Sequence, residues 1–196
     1  KQAEATQVLD KDGKLIGKYF IYDRQPLDFE DFPKPLINAL VATEDARFYE
    51  HDGIDNVSLL RVFVKNMLLQ QKSAGGGSTI TLQLAKNLFG RKDYALFSML
   101  INKFKEAIIA KRIEAIYSKE DILTLYLNTV PFPDNTYGIE SAARKFFNKP
   151  ATKLTYSEAA TLVGTLKATS YYNPRLYEER SQSRRNVVFQ QMLKYG

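Results

Sequence analysis

The feature that most constrains this chain is its rhythm after Pro33 and Pro35. From there on, apolar residues recur at three- and four-residue spacing in separate stretches, each closed by a helix breaker. This periodicity predicts helices over 35–49, 56–71, 79–89, 102–117, 119–128, 138–146, 155–167 and 181–194. The breakers are "HDG", "SAGGGS", "VPFPDNTYG", "NKPATKLT" and "SYYNP". Ahead of "YSEAATLV", Thr155 reads as an N-cap, with Glu158 three residues on as its capping-box partner. That gives Glu158 a structural role. Upstream, "VLDKDGKLIGKYFI" reads as a hairpin turning at Asp12-Gly13. The expected fold class is therefore mainly α, with a small N-terminal β-hairpin. Residues 1–34 form linker and hairpin, part of the same unit as a helical domain over 35–196. A chain of 196 residues is long enough to bury a core.

Composition removes several chemistries. With no cysteine there are no disulfides and no thiolate metal sites. One histidine, His51, gives a Ser-His-Asp arrangement or a multi-histidine zinc site little to work with. No run approaches the roughly 18 apolar residues of a membrane span, and no signal peptide is present. The chain opens at Lys1 rather than methionine, and we read it as a piece of a longer protein with an upstream membrane anchor. The net charge of +6 is concentrated. Between Lys86 and Lys119 there are eight Lys or Arg against three Asp or Glu, eight minus three giving +5. Such a patch attracts phosphates on nucleic acid, lipid headgroups or a phosphorylated substrate, although a solvated helix face has the same composition.

Two segments fit no routine element. "SAGGGST" gives the backbone freedom and then starts a helix at Ser78 or Thr79. Free amides and hydroxyls at such a terminus suit an anion, while a flexible linker is the plainer reading. The spacing is not G-x-x-x-x-G-K-[ST], which disfavours a nucleotide P-loop. "LFGRKDYALFSMLINKF" mixes Phe89, Tyr94, Leu96, Phe97, Met99, Leu100 and Ile101 with Arg91, Lys92 and Lys103. It is too short to span a bilayer, and its pattern suits an interface or ordinary core packing.

Two acids stand on apolar stripes. Leu36, Leu40, Glu44 and Phe48 follow at four-residue intervals, and Glu106, Ile109 and Ile113 share a second stripe with Lys103 one turn before them. Burial raises a carboxyl's pKa unless a cation offsets it, and both conditions occur at acid/base sites. A buried, hydrogen-bonded structural glutamate is the bland reading of either one. Together with the basic patch, the pair points to carbohydrate chemistry. A hydrolase needs an acid to protonate a poor leaving group. A transferase using a sugar diphosphate needs instead a base on the acceptor hydroxyl and cations around the diphosphate. Two acids and many cations favour the transferase.

In these residues the chain resembles the peptidoglycan glycosyltransferases of family 51, which occur alone or as the N-terminal domain of class A penicillin-binding proteins. The likeness runs from about Leu27 to Met192. The motif E-D-x-x-F-x-x-H-x-G stands complete as Glu44, Asp45, Phe48, His51 and Gly53. G-G-S-T-I-T-Q-Q-L-A-K-N is matched from Gly76 to Asn87. R-K-x-x-E is matched by Asn102-Lys103-Phe-Lys-Glu106, and I-L-x-x-Y-L-N by Ile122, Leu123, Tyr126, Leu127 and Asn128. "YGIESAARKFFNK" and "SEAATLVGTLKATSYYNP" also resemble the family's later helices.

The resemblance implies a lysozyme-like helical fold with a mobile, membrane-facing segment, and polymerisation of lipid II into β-1,4 glycan strands. It implies Glu44 as the base on the acceptor 4-hydroxyl and Glu106 as the second essential carboxylate, orienting cations and sugars. Lys103, Lys86 and Arg91 would hold the diphosphate; Ser78, Thr79, Gln83 and Asn87 would line the substrate site, with Asp45 supporting it. Phe48 and His51 are assigned to packing and capping. Implied partners are lipid II and the growing strand, the membrane surface at the outer face of the bacterial cytoplasmic membrane, moenomycin-type inhibitors and cell-wall synthesis proteins, with no nucleic acid. A divalent cation (Mg or Mn) is compatible with diphosphate chemistry, for which Lys and Arg can substitute; no metal ligands are assigned.

Three departures from the family pattern stand out. Leu82 replaces the first of two glutamines, Asn102 replaces the motif arginine, and the stretch from Asn87 to Lys103 is a few residues longer than usual. At 102 one phosphate-binding cation is therefore either missing or supplied from Arg91, Lys92 or Lys105. The rival readings are a lytic transglycosylase or lysozyme, which needs no cationic cradle, and a non-catalytic basic domain for membrane or nucleic acid. The second leaves both apolar-stripe acids unexplained. With no S-x-x-K or K-T-G, covalent binding of penicillin is not expected of this chain, and a downstream transpeptidase domain is expected outside it.

Overall fold

The computed structural model describes residues 6–9, 15–19, 26–69, 77–93 and 97–195. Strands β1 (Thr6–Leu9) and β2 (Leu15–Tyr19) pair antiparallel, Thr6 opposite Tyr19, with a register shift at Val8/Leu9. The pairing is that of the expected hairpin; its Asp12-Gly13 turn lies outside the described residues.

Eight helices follow among the described residues: α1 (Lys34–Glu44), α2 (Asn56–Leu69), α3 (Ile80–Phe89), α4 (Ser98–Ile116), α5 (Lys119–Thr129), α6 (Ile139–Phe147), α7 (Tyr156–Thr165) and α8 (Glu178–Tyr195). Local chemistry sets their ends. Pro35 lies in the first turn of α1, where a missing N–H costs nothing. Thr79 caps α3, accepting from the Leu82 amide, and Ser118 and Thr155 form capping boxes with Asp121 and Glu158. Thr155 and Glu158 thus do what their spacing predicts.

Three boundaries differ from the sequence reading by three residues or more. The helix expected to run to residue 49 stops at Glu44. Asp45 leaves helical geometry and turns its carboxylate onto other elements, as a short polar side chain beside a helix end can. Phe48 is therefore not on the α1 stripe; it enters the core, fully buried, from a separate 3-10 turn. Helix α4 begins at Ser98 rather than 102, and α8 at Glu178 rather than 181. The extra turn of α4 was hidden because Met99 and Leu100 face outward, so its apolar residues run around the helix instead of along one stripe. "VPFPDNTYG" also holds a second, two-residue hairpin, β3 (Pro131–Phe132) with β4 (Thr136–Tyr137). Its turn uses Asp134 and Asn135 at positive φ, the residues that best tolerate it.

A continuous core joins Leu36 and Leu40 of α1, Ile80 and Leu84 of α3, Ile122, Tyr126 and Leu127 of α5, Ile139 of α6 and Leu162 and Val163 of α7. Helix α1 packs on α7 and α8, and α3 packs on both α4 and α5. Asn128 ties the N-terminal approach to α5, accepting from the Leu27 amide and donating to its carbonyl. The consequence for the site is that α3 lies between the helix ending in Glu44 and the helix carrying Glu106.

Candidate active site

Glu44 is the last residue of α1 and is half-buried, not set in the middle of a buried face as the stripe suggested. A carboxylate at the negative end of the helix dipole gains nothing from the helix itself. Its partner comes from α3: Gln83 Nε2 donates to Glu44 Oε2 at 2.9 Å. The same amide accepts at Oε1 from the Tyr126 hydroxyl of α5, also at 2.9 Å. Because the Glu44 carboxylate accepts, Gln83 turns Nε2 towards it, and Oε1 is left to take the proton of the phenol. Tyr126 is fully buried, and burial, reinforced by the Glu44 charge, holds its hydroxyl well above the usual tyrosine range. It remains a donor across all working pH values. Sequence reading placed Tyr126 in a motif and gave it no role; the signal was a phenol on a buried stripe, which needs a partner for its hydroxyl.

Asp45 supports the site from below. Its carboxylate accepts from His51 Nε2 at 3.0 Å and from the Ile80 amide at 3.0 Å. His51 Nδ1 accepts from the Gly53 amide at 3.2 Å, so the ring proton lies on Nε2 and points at Asp45. Both imidazole nitrogens are thus engaged in folding the loop. Burial raises the Asp45 carboxyl above its ordinary value, and the His51 hydrogen bond only partly opposes this.

The amides that the glycine-started helix offered to an anion are largely filled from within. Asp45 takes Ile80 N, and Thr79 Oγ1 takes Leu82 N while donating to the Gly53 carbonyl at 2.6 Å. Ser78 precedes this cap, half-buried. Gly76, at the head of the motif, lies outside the described residues. Lys86 is exposed and Asn87 half-buried on α3, three and four residues beyond Gln83 and so on its face. Leu82, the first departure, is buried, which suits an apolar side chain better than an amide.

Glu106 is buried at 4 % exposure on α4, on a stripe with Asn102, Ala110 and Ile113. Arg91 Nε lies 2.8 Å from its Oε1 and Lys103 Nζ 2.8 Å from its Oε2. Burial pushes this carboxyl up, but Arg91 and Lys103 outweigh burial and hold it below its ordinary value. Arg91 and Lys103 are each a little under half exposed, and the two cations outnumber the one acid they share.

The loop bearing Asp45 is braced by a second buried cluster. Lys119 Nζ donates to the His51 carbonyl at 2.7 Å, pairs with Glu114 at 2.8 Å and sits 4.4 Å from the Phe48 ring centroid. Thr81 Oγ1 donates to the same glutamate at 2.6 Å. Lys119, counted in the basic patch, is therefore structural. Among the described residues no three His, Asp or Glu side chains gather as they would around a metal ion.

The outer face of α4 is apolar. Phe97, Leu100, Phe104 and Ile108 lie three or four residues apart and more than half exposed, as are Met99 on the same helix and Phe89 at the end of α3. Tyr94 and Leu96 of this stretch lie outside the described residues. No described helix is long and apolar enough to cross a membrane.

The chain is similar to known proteins over nearly its whole length. A family profile described as Transglycosylase matches residues 12–193. Penicillin-binding protein 1A of Vibrio cholerae serotype O1 is 42% identical over 187 residues, covering 95% of this chain and 22% of that protein. Penicillin-binding protein 1A of Aquifex aeolicus is 40% identical over 193 residues, covering 98% of this chain and 26% of that one. The crystal structure of Penicillin-Binding Protein 1A from Haemophilus influenzae superposes with a TM-score of 0.51 at 27% identity, covering 99% of this chain and 18% of that chain. The chain thus spans about a quarter or less of the length of these relatives.

Proposed function

We propose, for a chain that belongs to the Transglycosylase family, that it polymerises lipid II into β-1,4 glycan strands, releasing undecaprenyl diphosphate with inversion at the anomeric carbon. The observation that carries this reading is the different company of the two carboxylates. Glu44 is held by one neutral amide, so its negative charge stays available to a proton. Glu106 is matched by two cations and is poorly placed to take one. In the reaction, Glu44 accepts the proton of the acceptor 4-hydroxyl as that oxygen bonds to the anomeric carbon. The bond from that carbon to the diphosphate oxygen breaks, and the electron pair leaves with the phosphate. The developing charge falls to Lys103 and Arg91, which Glu106 holds in place, with Lys86 on the α3 face. No acid is needed, because diphosphate leaves as a stable anion.

The apolar outer face of α4 supports contact with a membrane surface, since an exposed stripe of this kind beside lysines suits a lipid boundary. We place the reaction at the extracytoplasmic face of the bacterial membrane, where a polyprenyl donor is embedded, with cell-wall synthesis proteins as partners and moenomycin-type phosphoglycolipids as competitors at the same site. The lysozyme-like cleaving alternative lacks support in an acid poised to protonate a glycosidic oxygen. Incubation with labelled lipid II is expected to yield glycan strands, finished glycan is expected to stay uncut, and Glu44→Gln should abolish synthesis while leaving the thermal unfolding midpoint in place. Full activity in Glu44→Gln would refute the assignment of the base.

A further inference from the structure

Where the resembled motif has arginine, this chain has Asn102, and the side chain is fully used. At 6 % exposure, its Nδ2 donates to the Lys92 carbonyl at 2.8 Å and to the Ser98 carbonyl at 2.8 Å, and its Oδ1 accepts from the Lys92 amide at 3.2 Å. The two bonds to Lys92 run in opposite senses and grip one residue's backbone on both its donor and its acceptor, as a strand partner does. Arg91 is the next residue back, and Glu106 lies one helical turn beyond Asn102 on the same face of α4. Arg91 meets Glu106 at 2.8 Å although 42% of its side chain is exposed. An arginine on irregular backbone must order both rotamer and loop before it can hold a carboxylate. Gripping Lys92 removes the backbone part of that freedom in advance.

We propose that Asn102 is a positioning residue: its grip on Lys92 presents Arg91 to Glu106, so that the cation the family motif places at 102 is supplied here from residue 91. The use made of that cation rests on the glycosyltransferase reading; the grip itself is testable without substrate.

In ligand-free protein the Glu106 carboxyl titration is followed by NMR in wild type, Arg91→Ala, Asn102→Ala and the double variant. Arg91 and Lys103 both hold this carboxyl down against burial, so losing Arg91 must let it rise. Arg91→Ala and Asn102→Ala are each expected to shift the titration to higher pH, and the double variant no further than Arg91→Ala alone. If Asn102→Ala leaves the titration in place while Arg91→Ala moves it, or if neither moves it, the proposal is wrong. Hydrogen exchange on the unaltered protein needs no variant to fold: the Lys92 amide should exchange more slowly than the amide of Asp93, an exposed residue, and equal rates would overturn the grip.

With lipid II, Arg91→Ala should raise KM about tenfold with a smaller effect on kcat, the loss of one charge-assisted contact. In an Asn102→Arg background, which restores the motif arginine, the same change should cost little; an equal cost in both backgrounds would refute the substitution of one cation for the other. Absence of strand synthesis in wild type would count against the glycosyltransferase reading alone, leaving the titration and exchange results to judge the grip.

Discussion

Tyr126→Phe isolates the relay behind Glu44. The substitution removes one oxygen and opens no large cavity, since the ring stays packed within the buried core. It leaves Oε1 of the half-buried Gln83 without its donor at 2.9 Å. An acceptor stranded in this way costs about 1–2 kcal/mol, which for a domain of this size is a fall in unfolding midpoint of roughly 2–8 °C. The effect on function has a separate origin. With the phenol gone, the Gln83 amide loses the partner that fixes its far side, and the donor that orients the Glu44 carboxylate is held less firmly. Misplacing the base by the worth of one such bond predicts a loss in kcat of roughly five- to thirtyfold, with KM for lipid II little changed because no substrate contact is removed. Polymerisation of labelled lipid II at saturating substrate measures the first quantity, and a circular dichroism melt the second. If Tyr126→Phe melts lower but polymerises at the wild-type rate, the relay is structural only; if neither changes, the hydrogen-bond chain is not formed.

Two further outcomes test the scaffold. Gly53 adopts φ +88°, and a Cβ there would meet the Ala110 carbonyl carbon and oxygen at 3.2 Å; Gly53→Ala should cost at least about 1–2 kcal/mol from backbone strain alone, read by urea denaturation. Glu158 is pushed up by burial but held below its ordinary value of 4.5 by Lys149 and the Thr155 cap. A depressed folded pKa adds stability that is present above about pH 4.5 and is lost as pH falls through the folded value. Glu158→Gln should therefore lower the melting midpoint at neutral pH and flatten its decline in acid, and an unchanged acid slope would refute the pairing.

Much of this protein is legible in its sequence because helices are a local code. Thr155 with Glu158, Ser118 with Asp121 and Thr79 with Leu82 are spaced within one turn, so the chain specifies them before it folds. The stripe Glu106–Ile113 is local too, and both acids could be singled out because an ionisable group at apolar spacing is conspicuous wherever it falls. What that spacing could not supply is the partner of each acid. Glu44 meets Gln83 across 39 residues, Gln83 meets Tyr126 across 43, and Asp45 meets Ile80 across 35. No periodicity relates such positions; they meet because α3 packs between α4 and α5 and reaches the end of α1. The same holds for the end of α1, which the apolar stripe carries through to Phe48 and which Asp45 breaks off by bonding to α3. Asn102 is the clearest instance. In the sequence it is a missing arginine, and only the tertiary structure shows it buried against the Lys92 backbone beside Arg91, because a hydrogen bond to a loop's main chain carries no signature in the residue it grips.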